Sequence, residues 1–211
     1  MKFYAGGTRD NFYAEGYSFL YNYLSDLGRV RTYLLESNHV SRYLFGASLI
    51  VVGVALTIFY IFIIEYFWEK KSTKWISIIA SIIGIFSANV VTWIGIIPYD
   101  LQTDTHHILV YLSMGCSLLP LILYSAAIFI TRKLSRFYAW IFIFTSIVPI
   151  TYLLLIYTGL YRYFMQKTTL QGAGQKIIIY AMTLCVFIIS IGCLRSSYKL
   201  EKKDELLTST D

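Results

Sequence analysis

Apolar residues in this chain fall in long blocks, not in alternation. Five stretches carry no charge: 43–64, 75–99, 108–131, 137–161 and 177–194. The first four run 22 to 25 residues and the last 18. About 20 apolar residues in a helix cross the hydrocarbon of a bilayer. Lipid offers no hydrogen-bond partner to backbone N–H and C=O groups, so such blocks have to be helices. The expected fold is therefore all-α, a polytopic transmembrane bundle of five spans over residues 43–194. A polar, cytoplasmic tail follows at 195–211.

Residues 1–42 follow a different pattern. Between 12 and 35 aromatics are frequent, but Asp26, Arg29 and Arg31 interrupt them. This segment cannot span. It predicts an amphipathic stretch lying on the outer surface or packed over the bundle, with Gly28 ending its helix. No stretch after Met1 has the pattern of a cleavable signal.

Lysine and arginine set the orientation. The segments 65–74, 132–136 and 195–211 hold Lys70, Lys71, Lys74, Arg132, Lys133, Arg136, Arg195, Lys199, Lys202 and Lys203. The loop at 99–107 holds none. Positive loops stay in the cytoplasm, which places residues 1–42 and the loops at 99–107 and 162–176 outside a cell membrane. Trp68, Trp75 and Trp140 near one boundary and Tyr99, Tyr157 and Tyr161 near the other sit at belt positions.

Composition agrees: 57% of residues are hydrophobic and 14% charged, against roughly 25% charged in soluble domains. The net charge of +6 is spent on short loops, so nucleic acid is not an expected partner. Cys116, Cys185 and Cys193 all lie inside apolar blocks and read as small hydrophobes.

Inside the blocks, Ala80, Gly84 and Ala88 form a small-residue stripe that invites a partner helix. Asn89 is costly in lipid unless bonded, so it is expected to face a neighbouring helix. Pro120 and Pro149 lie mid-span, where kinks are expected. Glu65 is expected to snorkel to water. Gly172-Ala173-Gly174-Gln175-Lys176 lacks the spacing of a phosphate loop and reads as a short turn into the last helix.

Candidate chemistry gathers on the outer side. His39, His106 and His107 are all there, with Asp26, Asp100 and Asp104. Thr103 or Asp104 can cap a helix whose first turns hold the two adjacent histidines. Asp26, Asp100 and His107 are the candidate catalytic set. Asp26, His39, Asp100, Asp104, His106 and His107 are candidate ligands for a divalent metal that would activate water against a lipid ester or amide. No strong ligand motif supports a metal, and no cofactor is predicted. The alternative is a capped helix with structural hydrogen bonds.

The segments Gly6-Gly7-Thr8, Tyr17-Ser18-Phe19 and Asn22 through Arg29, with Gly95 to Asp100 and His106-His107, resemble a prokaryotic family of six-helix membrane proteins. That family is similar in pattern to damage-regulated autophagy modulator-like proteins. The resemblance implies that Ser25, Asp26, Gly28, Asp100 and His107 belong to one extracytoplasmic feature. It also implies a helix before the Gly-Gly segment, whereas Met1 here falls almost at that segment. It supplies no activity. The expected function is a non-enzymatic component that interacts with membrane lipid or binds a partner. The alternatives are a metal-dependent lipid hydrolase at the outer leaflet and a small-solute transporter.

Overall fold

The computed structural model describes the backbone of residues 1–131, 134–163 and 167–208, and their side chains except at 167–168 and beyond 198. Arg132 and Lys133 lie outside the described residues, as do the side chains of Lys199, Lys202 and Lys203.

The fold is an all-α bundle. Its helices are α1 (His39–Ile63), α2 (Lys71–Ile96), α3 (Thr103–Thr131), α4 (Arg136–Thr158) and α5 (Lys167–Thr208). Five helical segments are long and apolar enough to cross a membrane. A short 3-10 helix, Ile64–Phe67, continues α1, and another, Leu160–Tyr163, follows α4. No strand is present among the described residues. α3 and α4 run on through Pro120 and Pro149.

Successive helices pack side by side, α1 on α2, α2 on α3, α3 on α4 and α4 on α5. α1 and α5 would have to meet to close the ring, and they scarcely touch. The bundle thus has two unlike ends. The N-terminal segment and the α2–α3 and α4–α5 connections share the capped end. The turn bearing Lys70, Lys71 and Lys74 lies at the other, where Lys70 reaches the Ile130 carbonyl near the end of α3.

Small residues set the closest contact. A Cβ on Gly84 would stand 2.6 Å from the Tyr60 ring, and one on Gly53 would stand 2.8 Å from the Ala88 carbonyl oxygen. The Ala80–Gly84–Ala88 stripe is therefore covered by α1 of the same chain. Asn89 departs from expectation. It is exposed and donates its amide to the Ile85 carbonyl of its own helix at 2.8 Å. The stripe occupies the α1-facing side of α2, and Asn89, one residue past Ala88, is carried about 100° off it.

Two further expectations change. Residues 12–35 form no amphipathic α-helix. They are a chain of turns with one 3-10 helix, Leu24–Gly28, because their polar groups bond inward at irregular spacing. Gly28 does end that helix. Its backbone is ordinary, and its need is for space, since a Cβ there would lie 2.5 Å from Phe45 Cδ1. The segment 172–176 is not a turn. α5 starts at Lys167 and carries it within the nearly three helical turns that precede the apolar block. At 42 residues and 1.5 Å per residue, α5 is about 63 Å long, twice the hydrocarbon thickness.

Candidate functional site

The cap is a polar structure built from backbone acceptors and a few buried side chains. Asn22, Asp26, Thr32 and Asn38 are each at most 1% exposed. The Asp26 carboxylate reaches back over the 3-10 helix. Its Oδ2 accepts from the Tyr23 amide at 2.8 Å and from Asn22 Nδ2 at 3.0 Å. Asn22 Nδ2 also donates to the Gly7 carbonyl at 2.9 Å. This accounts for Gly7, whose φ of +85° and whose contact with Tyr33 leave no place for a side chain. Asn38 Nδ2 gathers the Leu27 and Arg29 carbonyls at 3.1 and 2.9 Å, tying the cap to the start of α1.

Asp26 is held above the usual carboxylate range by burial. Asn22, the Tyr23 amide, Arg29 and Tyr33 pull the other way. Tyr33 acts on this carboxyl, though no hydrogen bond reaches Oδ1. Burial also pushes the Tyr4, Tyr17 and Tyr33 phenols up, so they stay neutral.

Two fastenings join the cap to the bundle. Asp100, in the α2–α3 connection, accepts from the Val30 amide at 2.9 and 3.1 Å and from the Arg31 amide at 3.1 Å. The other is the α5 segment that reads as a turn in sequence. Lys176, fully buried, donates from Nζ to the Phe19, Asn22 and Gly172 carbonyls at 2.5, 2.6 and 2.9 Å. It also faces the Tyr17 and Phe19 rings. Gln175 Oε1 accepts from the Leu24 amide, and Gln171 Oε1 from the Tyr23 hydroxyl. Sequence reasoning missed this face. Its signal is a glycine and a lysine four residues apart at the head of an apolar block, and therefore on one side of a helix.

The expected Asp/His cluster does not form. Among the described residues no group of three His, Cys, Asp or Glu side chains stands close enough to hold a metal. Asp26 and Asp100 serve backbone amides at separate points. His39 is exposed and stacks on Tyr43 at 6.4 Å. Asp104 is exposed, and His107 is exposed beside Tyr99 and Tyr111. His106 and His107 diverge, as adjacent helical residues must. Only His106 turns inward, at 1% exposure.

His106 and Ser25 meet at a feature the sequence does not announce. A cavity of about 220 Å³ lies inside the bundle between α1, α2, α3 and α5. Tyr60, Leu121 and Phe142 form its floor, and Leu24, Ser25, His106 and Gln175 its roof at the capped end. The 3-10 helix of the cap is thus a lid on the cavity. Exposed Ala55 and Thr183 stand on its α1 and α5 walls, so it opens sideways where those helices part. Among the described residues no charged side chain lines it. Its wall serines are turned to backbone: Ser87, Ser113 and Ser117 donate to the Ser113, Val110 and Met114 carbonyls.

No protein-family model, curated protein or solved structure matches the chain.

Proposed function

We propose that this is a non-enzymatic, lipid-binding multi-pass component of the cell membrane, which takes a length of lipid chain into the cavity between α1 and α5. The carrying observation is the shape and chemistry of that cavity. An apolar cavity of roughly 150 Å³ already admits a small hydrocarbon ring, and this one is larger, lined by uncharged side chains among the described residues and open sideways between α1 and α5. Whole small-molecule pockets run to roughly 300–1,000 Å³, so it suits part of a lipid and not a whole one. The density of lysine and arginine supports an orientation with the cap outside and the lysine-bearing turns in the cytoplasm.

The test is photo-crosslinking in native membranes with a chain-labelled diazirine lipid, mapped by peptide mass spectrometry. Labelling is expected to concentrate on residues 52–59 of α1 and 179–186 of α5. Ala55→Trp, which places a large ring in the mouth, should remove it. Labels spread evenly over the outer faces of all five helices, unchanged by Ala55→Trp, would sink the proposal.

A further inference from the structure

Resting on that reading, the roof of the cavity bears on which lipid enters. The surrounding hydrocarbon is as apolar as the cavity wall, so moving a chain from one to the other gains little. Selection has to come from the polar end of the ligand. Charged headgroups find no counter-ion there, because the lining contains no Lys, Arg, Asp or Glu among the described residues. Lys176, next in sequence to the lining residue Gln175, has its three N–H donors committed to the Phe19, Asn22 and Gly172 carbonyls.

Two polar groups in the roof lack protein partners. His106 Nδ1 lies 3.0 Å from the Ile97 carbonyl. A carbonyl oxygen only accepts, so Nδ1 carries the proton and Nε2 of the neutral ring is left as an acceptor. That Nε2 is buried and makes no hydrogen bond. Ser25 is 7% exposed and lines the same roof, and its hydroxyl has no hydrogen-bond partner among the described residues. A buried acceptor left without a donor is unfavourable, and a ligand that supplies one recovers that loss.

We infer that the cavity selects an uncharged lipid bearing a hydroxyl group, its chain lying between α1 and α5 and its hydroxyl donating to His106 Nε2 beside Ser25. Monoacylglycerols and long-chain alcohols have this chemistry. The ligand enters sideways from the bilayer and carries its hydroxyl towards the cap.

The experiment uses the full chain in phosphatidylcholine nanodiscs. Three probes share one oleoyl chain: 1-monooleoylglycerol, its di-O-methyl ether, and oleoyl lysophosphatidic acid, which keeps a hydroxyl and adds charge. Bound lipid is counted by native mass spectrometry. Monooleoylglycerol is expected to exceed both others by about tenfold. His106→Phe should bring the alcohol and the ether to equal occupancy, and Ser25→Ala should narrow the gap, while Ala55→Trp excludes every probe. The wild-type ratio is itself decisive even where His106→Phe fails to fold. Equal occupancy of alcohol and ether in wild type, with both lost in Ala55→Trp, would overturn hydroxyl selection and leave the cavity reading standing. No enrichment of any probe, with Ala55→Trp indistinguishable from wild type, would overturn both.

Discussion

Lys176 and Gly172 stand one turn apart on α5 and hold the same piece of backbone. The Asn22 carbonyl oxygen is 2.6 Å from Lys176 Nζ, and it lies 2.9 Å from where a Cβ on Gly172 would be. The lysine draws the cap in, and the glycine lets it come close enough to be held.

Changing either residue should therefore free the cap without unravelling the bundle. Gly172→Ala puts a methyl 2.5 Å from the Leu20 carbonyl oxygen, and neither backbone yields easily. The expected destabilisation is about 1–3 kcal/mol. Lys176→Met keeps the length and leaves buried carbonyls unanswered, for about 2–4 kcal/mol. Limited proteolysis should cut both variants within residues 12–35 while the spans stay intact. Variants as resistant as wild type would show that the clamp does not hold the cap.

Asp26 gives the cap a pH dependence of definite sign. Burial raises its pKa in the folded state, so folding favours the protonated carboxyl. That contribution is complete below the unfolded value of about 3.9 and is lost as pH rises through the higher folded value. Hydrogen exchange of amides 22–30, corrected for intrinsic rates, should show protection weakening with rising pH in wild type. Asp26→Asn should flatten the profile. Matching profiles would show that another group sets the slope.

Asp100 is expected to act as a fastening and not as a metal ligand. Asp100→Ala leaves the Val30 and Arg31 amides without their acceptor, at about 1–3 kcal/mol, and Asp100→Asn, which keeps one oxygen, should lose less. Thermal unfolding in detergent ranks the two. Treatment with a chelator should leave the wild-type midpoint unchanged, as should His107→Ala. A midpoint that drops on chelation and returns with zinc would restore the metal reading.

The α1–α2 contact should be intolerant of bulk. Gly53→Ala brings a methyl 2.8 Å from the Ala88 carbonyl oxygen, and Gly84→Ala brings one 2.6 Å from the Tyr60 ring. Overpacking of this kind costs about 1–3 kcal/mol. Gly115→Ala is the control, because nothing lies within 4 Å of its Cβ position. Comparable losses at all three positions would point to glycine's backbone freedom instead.

The helices were legible because lipid imposes length and apolarity together, and each of the five uncharged blocks falls largely within one of the five helices. The small-residue stripe was legible as a contact, though Asn89 was assigned to the wrong side of α2. The cap was harder. Its order comes from pairs such as Asp100 with the Val30 amide and Lys176 with the Asn22 carbonyl, and backbone groups leave no trace in a sequence. Asp26, Asp100 and His107 were grouped because they share an end of the bundle and suit metal chemistry. Proximity to an end is not proximity in space, and backbone amides had already claimed both carboxylates. His106 was undervalued beside His107, since only the phase of α3 decides which ring turns inward. A cavity is a gap between helices, and no single residue encodes it.

The cap's distant fastenings bear on the order of assembly. Residues 4–38 emerge from the ribosome before the five helices, but their docking surface includes Asp100 and the 171–176 face, the latter more than a hundred residues further along the chain. The cap therefore cannot complete its contacts while only four helices have been made, and settles only when the fifth arrives. The lid over the cavity closes as the last step of biogenesis, so a nascent chain arrested before residue 171 should display a protease-sensitive N-terminus that the finished protein hides.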